Sequence, residues 1–207
     1  MTRVIWTLLA ATAVALAGCN GQPAGSAPKT AAAPADTAPF NSTDITGANF
    51  GKALALPDQD GKARTLADFK GKVTVVFFGY TQCPDVCPTT MAELAEIKRS
   101  LGADGARLQA VFVTVDPERD TPALLKAYMA GFDPSFIGLR GTPEQTKAAA
   151  QEFKVFYAKV PGRTPDSYTI DHTAGTLVFD PQGRLRLFVS YGMAPDKIAA
   201  DVKKLLT

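Results

Sequence analysis

One α/β domain, built on a central sheet with helices on both faces, is predicted over residues 47–207 by three observations. Short β-branched and aromatic runs recur between helical patterns. The run Val73 to Phe78 is apolar on both faces, as a strand covered by helices should be. Three helical patterns begin at prolines, and Thr121-Pro122 and Thr142-Pro143 pair a capping hydroxyl with the fixed φ of proline.

Taken in order, Leu54 to Thr65 reads as a hairpin about the turn Asp58-Gln59-Asp60-Gly61. Strands are expected at Val73 to Phe78, Leu108 to Val115, Thr176 to Phe179 and Leu185 to Val189. Helices are expected at Pro88 to Leu101, Pro122 to Ala130, Pro143 to Phe153 and Ala194 to Leu206. Asp180 to Gly183 is a turn, which makes the last two strands a hairpin. Strand, helix, strand, helix, hairpin and final helix is the order of a thioredoxin-like sandwich. Arg140 to Asp171 holds more chain than that plan needs, and Val160 to Tyr168 reads as an inserted mobile surface loop before His172. No internal repeat is visible.

With 207 residues the chain suits one domain. A formal charge of +2 gives no field for holding a polyanion, so nucleic-acid binding is not expected. Three cysteines and one histidine restrict the chemistry more sharply. Two-histidine metal sites and disulfide-dense scaffolds are disfavoured by count.

The N-terminal segment reads as targeting. Arg3 precedes an uncharged run from Val4 to Gly18, too short for the ~20 residues of a spanning helix and suited to a secretory signal over residues 1–18. Leu16-Ala17-Gly18-Cys19 resembles the lipobox of bacterial lipoproteins, which implies acylation of Cys19; an ordinary signal peptide with Cys19 left as a thiol is the plainer alternative. Residues 19–46 are rich in Ala, Pro and Gly and have little apolar bulk to offset ordering entropy. They read as a tether of about 25–30 Å r.m.s. span. The expectation is an exported domain on the periplasmic side of a bacterial membrane, held there by lipid.

Gly79-Tyr80-Thr81-Gln82-Cys83-Pro84-Asp85-Val86-Cys87-Pro88 follows the central strand and leads into a helix, the position where α/β sheets gather reactive groups. Residues four apart on a helix have Cα atoms about 6.2 Å apart, within disulfide reach. Pro88 predicts a turn from Cys83 to Cys87, with the helix starting near Pro88. A helix N-terminus favours thiolate there. A structural disulfide would close so short a loop that the unfolded-state gain is only about 2 kcal/mol. A redox dithiol Cys83–Cys87 is the second reading, although its spacing is one residue longer than Cys-x-x-Cys. A metal site is the third. Two soft thiolates completed by the imidazole of His172 suit Cu(I), whereas structural zinc needs a fourth ligand that no further Cys or His supplies. Asp171 beside His172 reads as an outer partner of the imidazole or as a solvent-facing acid.

These motifs, with Val115-Asp116-Pro117-Glu118-Arg119-Asp120-Thr121-Pro122, Asp171-His172-Thr173 and Asp180 to Gly183, resemble the Sco/SenC/PrrC copper-chaperone family from about Phe50 to Thr207. The resemblance implies a thioredoxin fold and copper, as Cu(I) or Cu(II), on Cys83, Cys87 and His172. It implies service to the CuA centre of cytochrome c oxidase subunit II, with copper taken from an upstream periplasmic donor. A metallochaperone of this kind need not be an enzyme, although thiol-disulfide reduction is also credited to the family. Gln82 departs from the histidine common in relatives, which removes any auxiliary imidazole there.

Asp116, at a strand end, reads either as a neighbour of the thiols or as a turn residue before Pro117. Asp85 reads as shaping the cysteine turn or touching a partner. Arg119 and Asp120 read as a turn and helix-start pair. A thiol peroxidase is a rival function, since Val86-Cys87-Pro88-Thr89 resembles a peroxidatic loop. A copper sensor or electron carrier is another.

Overall fold

A computed structural model describes residues 39–164 and 167–207. The signal peptide expected over residues 1–18, Cys19 and most of the tether expected over residues 19–46 lie outside the described residues. Ten strands and four α-helices are present among them, with short 3-10 turns at Leu66–Phe69 and Gly102–Arg107.

The central sheet has six strands: β1 (Thr43–Asp44), β4 (Val73–Gly79), β5 (Leu108–Thr114), β6 (Ile137–Leu139), β9 (Thr176–Phe179) and β10 (Leu185–Val189). Their spatial order is β1-β10-β9-β4-β5-β6. β4, β5 and β6 run parallel, whereas β9 and β10 fold back antiparallel, which is the thioredoxin-like plan predicted above. All seven residues of β4 and all seven of β5 are buried. Both strands are therefore covered on each face, which accounts for their lack of polar alternation.

α1 (Val86–Ser100), α2 (Pro122–Ala130), α3 (Pro143–Glu152) and α4 (Pro195–Leu206) supply the cover. The threonine caps are formed: Leu124 N–H donates to Thr121 Oγ1 and Gln145 N–H to Thr142 Oγ1, each at 3.2 Å. α1 differs from expectation, beginning at Val86 rather than near Pro88. Pro88 is its third residue, where the backbone N–H would have no intrahelical partner in any case, so proline is tolerated.

The hairpin of β2 (Ala55–Pro57) and β3 (Ala63–Thr65) is as expected, turning at Gly61 with φ +80°. The predicted surface loop, Val160 to Tyr168, coincides with the end of a hairpin: its first two residues and its last are strand. Tyr157–Pro161 (β7) and Tyr168–His172 (β8) pair antiparallel, in a two-stranded sheet separate from the central one. Pro161 closes β7 and Gly162 follows it, and the alternation in Tyr168-Thr169-Ile170-Asp171-His172 is the strand signal.

The start of the domain also moves. Asp201 accepts from the backbone N–H of Asn41 and Ser42, and Thr43 pairs with Phe188 in β10. Among the described residues, Asn41 to Asp44 are thus bonded to the domain, within the segment expected to be tether. β1 and β6, of two and three residues, are too short to show a period.

Candidate metal centre

Three elements meet at the C-terminal end of β4. Cys83 lies in the turn after it, Cys87 in the first turn of α1, and His172 at the end of β8. Cys83 Sγ, Cys87 Sγ and the His172 ring all lie within 4.8 Å of one another. Both cysteines are free thiols. Asp85, Asp116 and Asp171 are not part of this group.

Cys87 is fully buried. Burial pushes its thiol well above the ordinary range, so a bare thiolate is costly there without a compensating cation. Its sulfur fits because residue 79 is glycine: a Cβ at Gly79 would stand 2.7 Å from Cys87 Sγ and 3.0 Å from the rings of Phe77 and Phe112. Cys83 is half-buried, and the backbone N–H of Cys87 points at its sulfur from 3.4 Å. Two sulfurs at a helix N-terminus, one half-buried and one buried, make an asymmetric pair.

His172 Nε2 is 3.4 Å from Cys87 Sγ, while Nδ1 is 3.1 Å from the carbonyl oxygen of Thr173. A carbonyl only accepts, so Nδ1 carries the proton and the Nε2 lone pair is directed at the thiols. Burial lowers the pKa of His172 and keeps this neutral form. The ring stands edge-on to Phe77 and Tyr80, with centroids 5.8 and 6.0 Å away.

Alternation along β8 turns Tyr168, Ile170 and His172 inward and Asp171 outward. Asp171 is consequently exposed, and the outer partner of the imidazole is the Thr173 carbonyl. Asp85 is exposed at the start of α1 and makes no capping bond with its side chain. Asp116 is buried, but its carboxylate is engaged by Arg119 Nε and by the Tyr168 hydroxyl at 2.8 Å. It supports the hairpin rather than facing the thiols.

Sequence reasoning missed Asp120 and Tyr80. Asp120 is fully buried and accepts from Thr114 Oγ1 at 2.5 Å, Thr81 Oγ1 at 2.6 Å and Thr81 N–H at 3.1 Å. Burial raises its pKa against those three bonds. The carboxyl ties the cysteine turn to the end of β5, which is more than the helix-start role its sequence position implied. Tyr80 is buried, and its hydroxyl accepts from Ile170 N–H at 3.2 Å. Its place directly after the central strand and before the cysteine turn was the available signal.

An open cleft of about 320 Å³ leads to the group, lined by Tyr80, Cys83, Pro84, Asp85 and the Thr169–His172 edge of β8. Cys83 and His172 are thus reachable from solvent, and Cys87 is approached only past them. Two thiols and one imidazole form a soft three-ligand set, suited to trigonal Cu(I) and one ligand short of structural zinc.

The family model SCO1/SenC matches residues 42–207. A SCO2-like protein of Rickettsia felis is 38% identical over 155 residues, 74% of this chain and 76% of the relative. The copper-bound structure of Bradyrhizobium japonicum ScoI is 44% identical, with TM-score 0.69, covering 75% of this chain and 99% of that one. The apo Sco1 protein of Thermus thermophilus is 41% identical, with TM-score 0.72, covering 82% and 99%. With the fold, the ligand triad and these matches in agreement, the chain belongs to the SCO1/SenC family.

Proposed function

We propose that this protein is a copper chaperone, held by lipid on Cys19 at the periplasmic side of a bacterial membrane, that delivers copper to the CuA site of cytochrome c oxidase subunit II. The carrying observation is the convergence of Cys83, Cys87 and His172 within 4.8 Å of one another. Copper is cargo, taken from an upstream periplasmic donor. Its positive charge offsets the burial penalty on Cys87, so binding releases the thiol proton and draws both sulfurs into the site. The Nε2 lone pair of His172 supplies the third position without losing a proton. An incoming thiolate enters by the cleft, meets the half-buried Cys83 side first, and displaces the ligands one at a time.

Binding requires both thiols. Exchange with a partner's disulfide would join Cys83 to Cys87, release the partner as a dithiol with the pair's two protons, and leave no thiolate for copper. That exchange is itself reduction of the partner, and the closeness of the free pair favours it as a second activity toward the oxidase cysteines. Peroxidase chemistry is disfavoured, because Cys87 is buried with its thiol pushed up, whereas a peroxidatic cysteine must be accessible and acidic.

Anaerobic Cu(I) titration of the reduced protein, beside Cys83→Ala, Cys87→Ala and His172→Ala, tests this. One tightly bound copper, weakened in every variant, is expected. Equal binding by wild type and His172→Ala, with peroxide consumption dependent on Cys87 alone, would contradict it. Metabolic fatty-acid labelling should mark wild type and not Cys19→Ala; an unlabelled wild type sinks the anchor.

A further inference from the structure

His172 belongs to a hairpin outside the central sheet, so its distance from the thiols depends on what ties that hairpin down. Among the described residues, apart from His172 itself, four hydrogen bonds join β7–β8 to the rest of the domain. Arg119 Nη1 donates to Tyr168 O at 2.9 Å, the Tyr168 hydroxyl to Asp116 at 2.8 Å, Lys159 Nζ to Glu118 at 2.7 Å, and Ile170 N–H to the Tyr80 hydroxyl at 3.2 Å. Three of the four end on one turn, residues 116–119. Arg119 also lays its guanidinium on the Tyr168 ring, 3.6 Å from the centroid, and faces Tyr80 at 5.7 Å. Its Nε holds the Asp116 carboxylate that receives the Tyr168 hydroxyl.

We propose that Arg119 is a positioning residue for copper binding: by clasping Tyr168 against the 116–119 turn, it fixes where His172 stands relative to Cys83 and Cys87. Register makes the connection direct. Tyr168, Ile170 and His172 share one face of β8, so fixing the first fixes the last to within the stiffness of five strand residues. The Lys159–Glu118 pair joins two half-exposed chains and contributes little by comparison. Arg119 is suited to the task because its planar fork reaches a carboxylate and a carbonyl at once while its face covers an aromatic ring. Lysine supplies the charge without that geometry.

The inference rests on the reading of His172 as a copper ligand, and the test separates the two. Reduced protein loaded with Cu(I) is mixed anaerobically with excess bicinchoninate and the transfer rate is followed. Arg119→Ala and Arg119→Lys are each expected to release copper about tenfold faster than wild type, as for loss of a residue that orients a metal ligand. His172→Ala should also release faster, and adding Arg119→Ala to it should give no further acceleration, because there is no longer a ligand to position. Tyr168→Phe, which removes only the bond to Asp116 and should fold normally, is expected to accelerate transfer roughly threefold, again only while His172 is present. Wild-type rates in Arg119→Ala, a full rescue by lysine, or an equal effect in the His172→Ala background would each overturn the proposal. A wild-type rate in His172→Ala would instead overturn the ligand set, and the proposal with it.

Discussion

The two halves of the site are built differently. Cys83 and Cys87 rest on β4 and α1, the most enclosed part of the molecule: every residue of β4 is buried, Gly79 leaves a sulfur-sized space, and Asp120 bonds the cysteine turn to β5. His172 hangs on a two-stranded hairpin with exposed residues along its outer face and an exposed Phe156 at its entry. The thiol half is fixed by core packing, which relaxes little, and the imidazole half by the buried Ile170 and a few polar contacts. A carrier that must hold a metal and then release it benefits from this asymmetry, since one ligand can withdraw without disturbing the fold of the other two.

Substitutions in the two halves should therefore separate. The largest effect is expected from the thiol side: Cys83→Ala or Cys87→Ala should abolish stoichiometric Cu(I) binding, read by anaerobic titration. His172→Ala should retain a two-sulfur site, weakened by at least the ~10–100-fold that loss of an outer partner of a metal ligand costs. Gly79→Ala places a methyl 2.7 Å from Cys87 Sγ, and should lower stability by about 1–3 kcal/mol in denaturant unfolding while also weakening copper binding. Removing the Thr142 cap, far from the site, should cost about 1 kcal/mol in the same assay and leave copper affinity unchanged.

Acidity sharpens the contrast. Because burial lowers the pKa of His172, the unfolded chain binds a proton there more readily than the folded one. Stability from this group is present above the unfolded value near 6.5 and is lost as pH falls from there toward the lowered folded value. An NMR titration of the imidazole should give a midpoint below 6.5. The buried thiol works oppositely: Cys87 is protonated at neutral pH, copper displaces that proton, and apparent affinity should rise with pH.

The thiol half was legible in the sequence because each of its determinants is local. A run of six buried residues, a glycine, two cysteines and a proline-containing helix start stand within sixteen positions, Val73 to Pro88. The helix start was misplaced by two residues because proline's missing N–H is tolerated throughout the first turn. The strands of the hairpin are hidden in the sequence by Pro161, Gly162 and Pro165, although the residues flanking them alternate as a strand does. Asp116, Arg119 and Asp120 were harder still. Their partners are 39 to 52 positions away in Thr81, Tyr168 and its hydroxyl, and no spacing rule spans such contacts. Of the two readings of Asp171 the solvent-facing one holds, because adjacency in a strand means opposite faces.

The central claim is that both halves bind one copper ion together. X-ray absorption spectroscopy of the reduced, Cu(I)-loaded protein tests it most directly. Two sulfurs and one imidazole nitrogen are predicted around a single copper, with the nitrogen lost and both sulfurs kept in His172→Ala. A wild-type copper shell of sulfur alone, or one that His172→Ala leaves unchanged, would contradict the account.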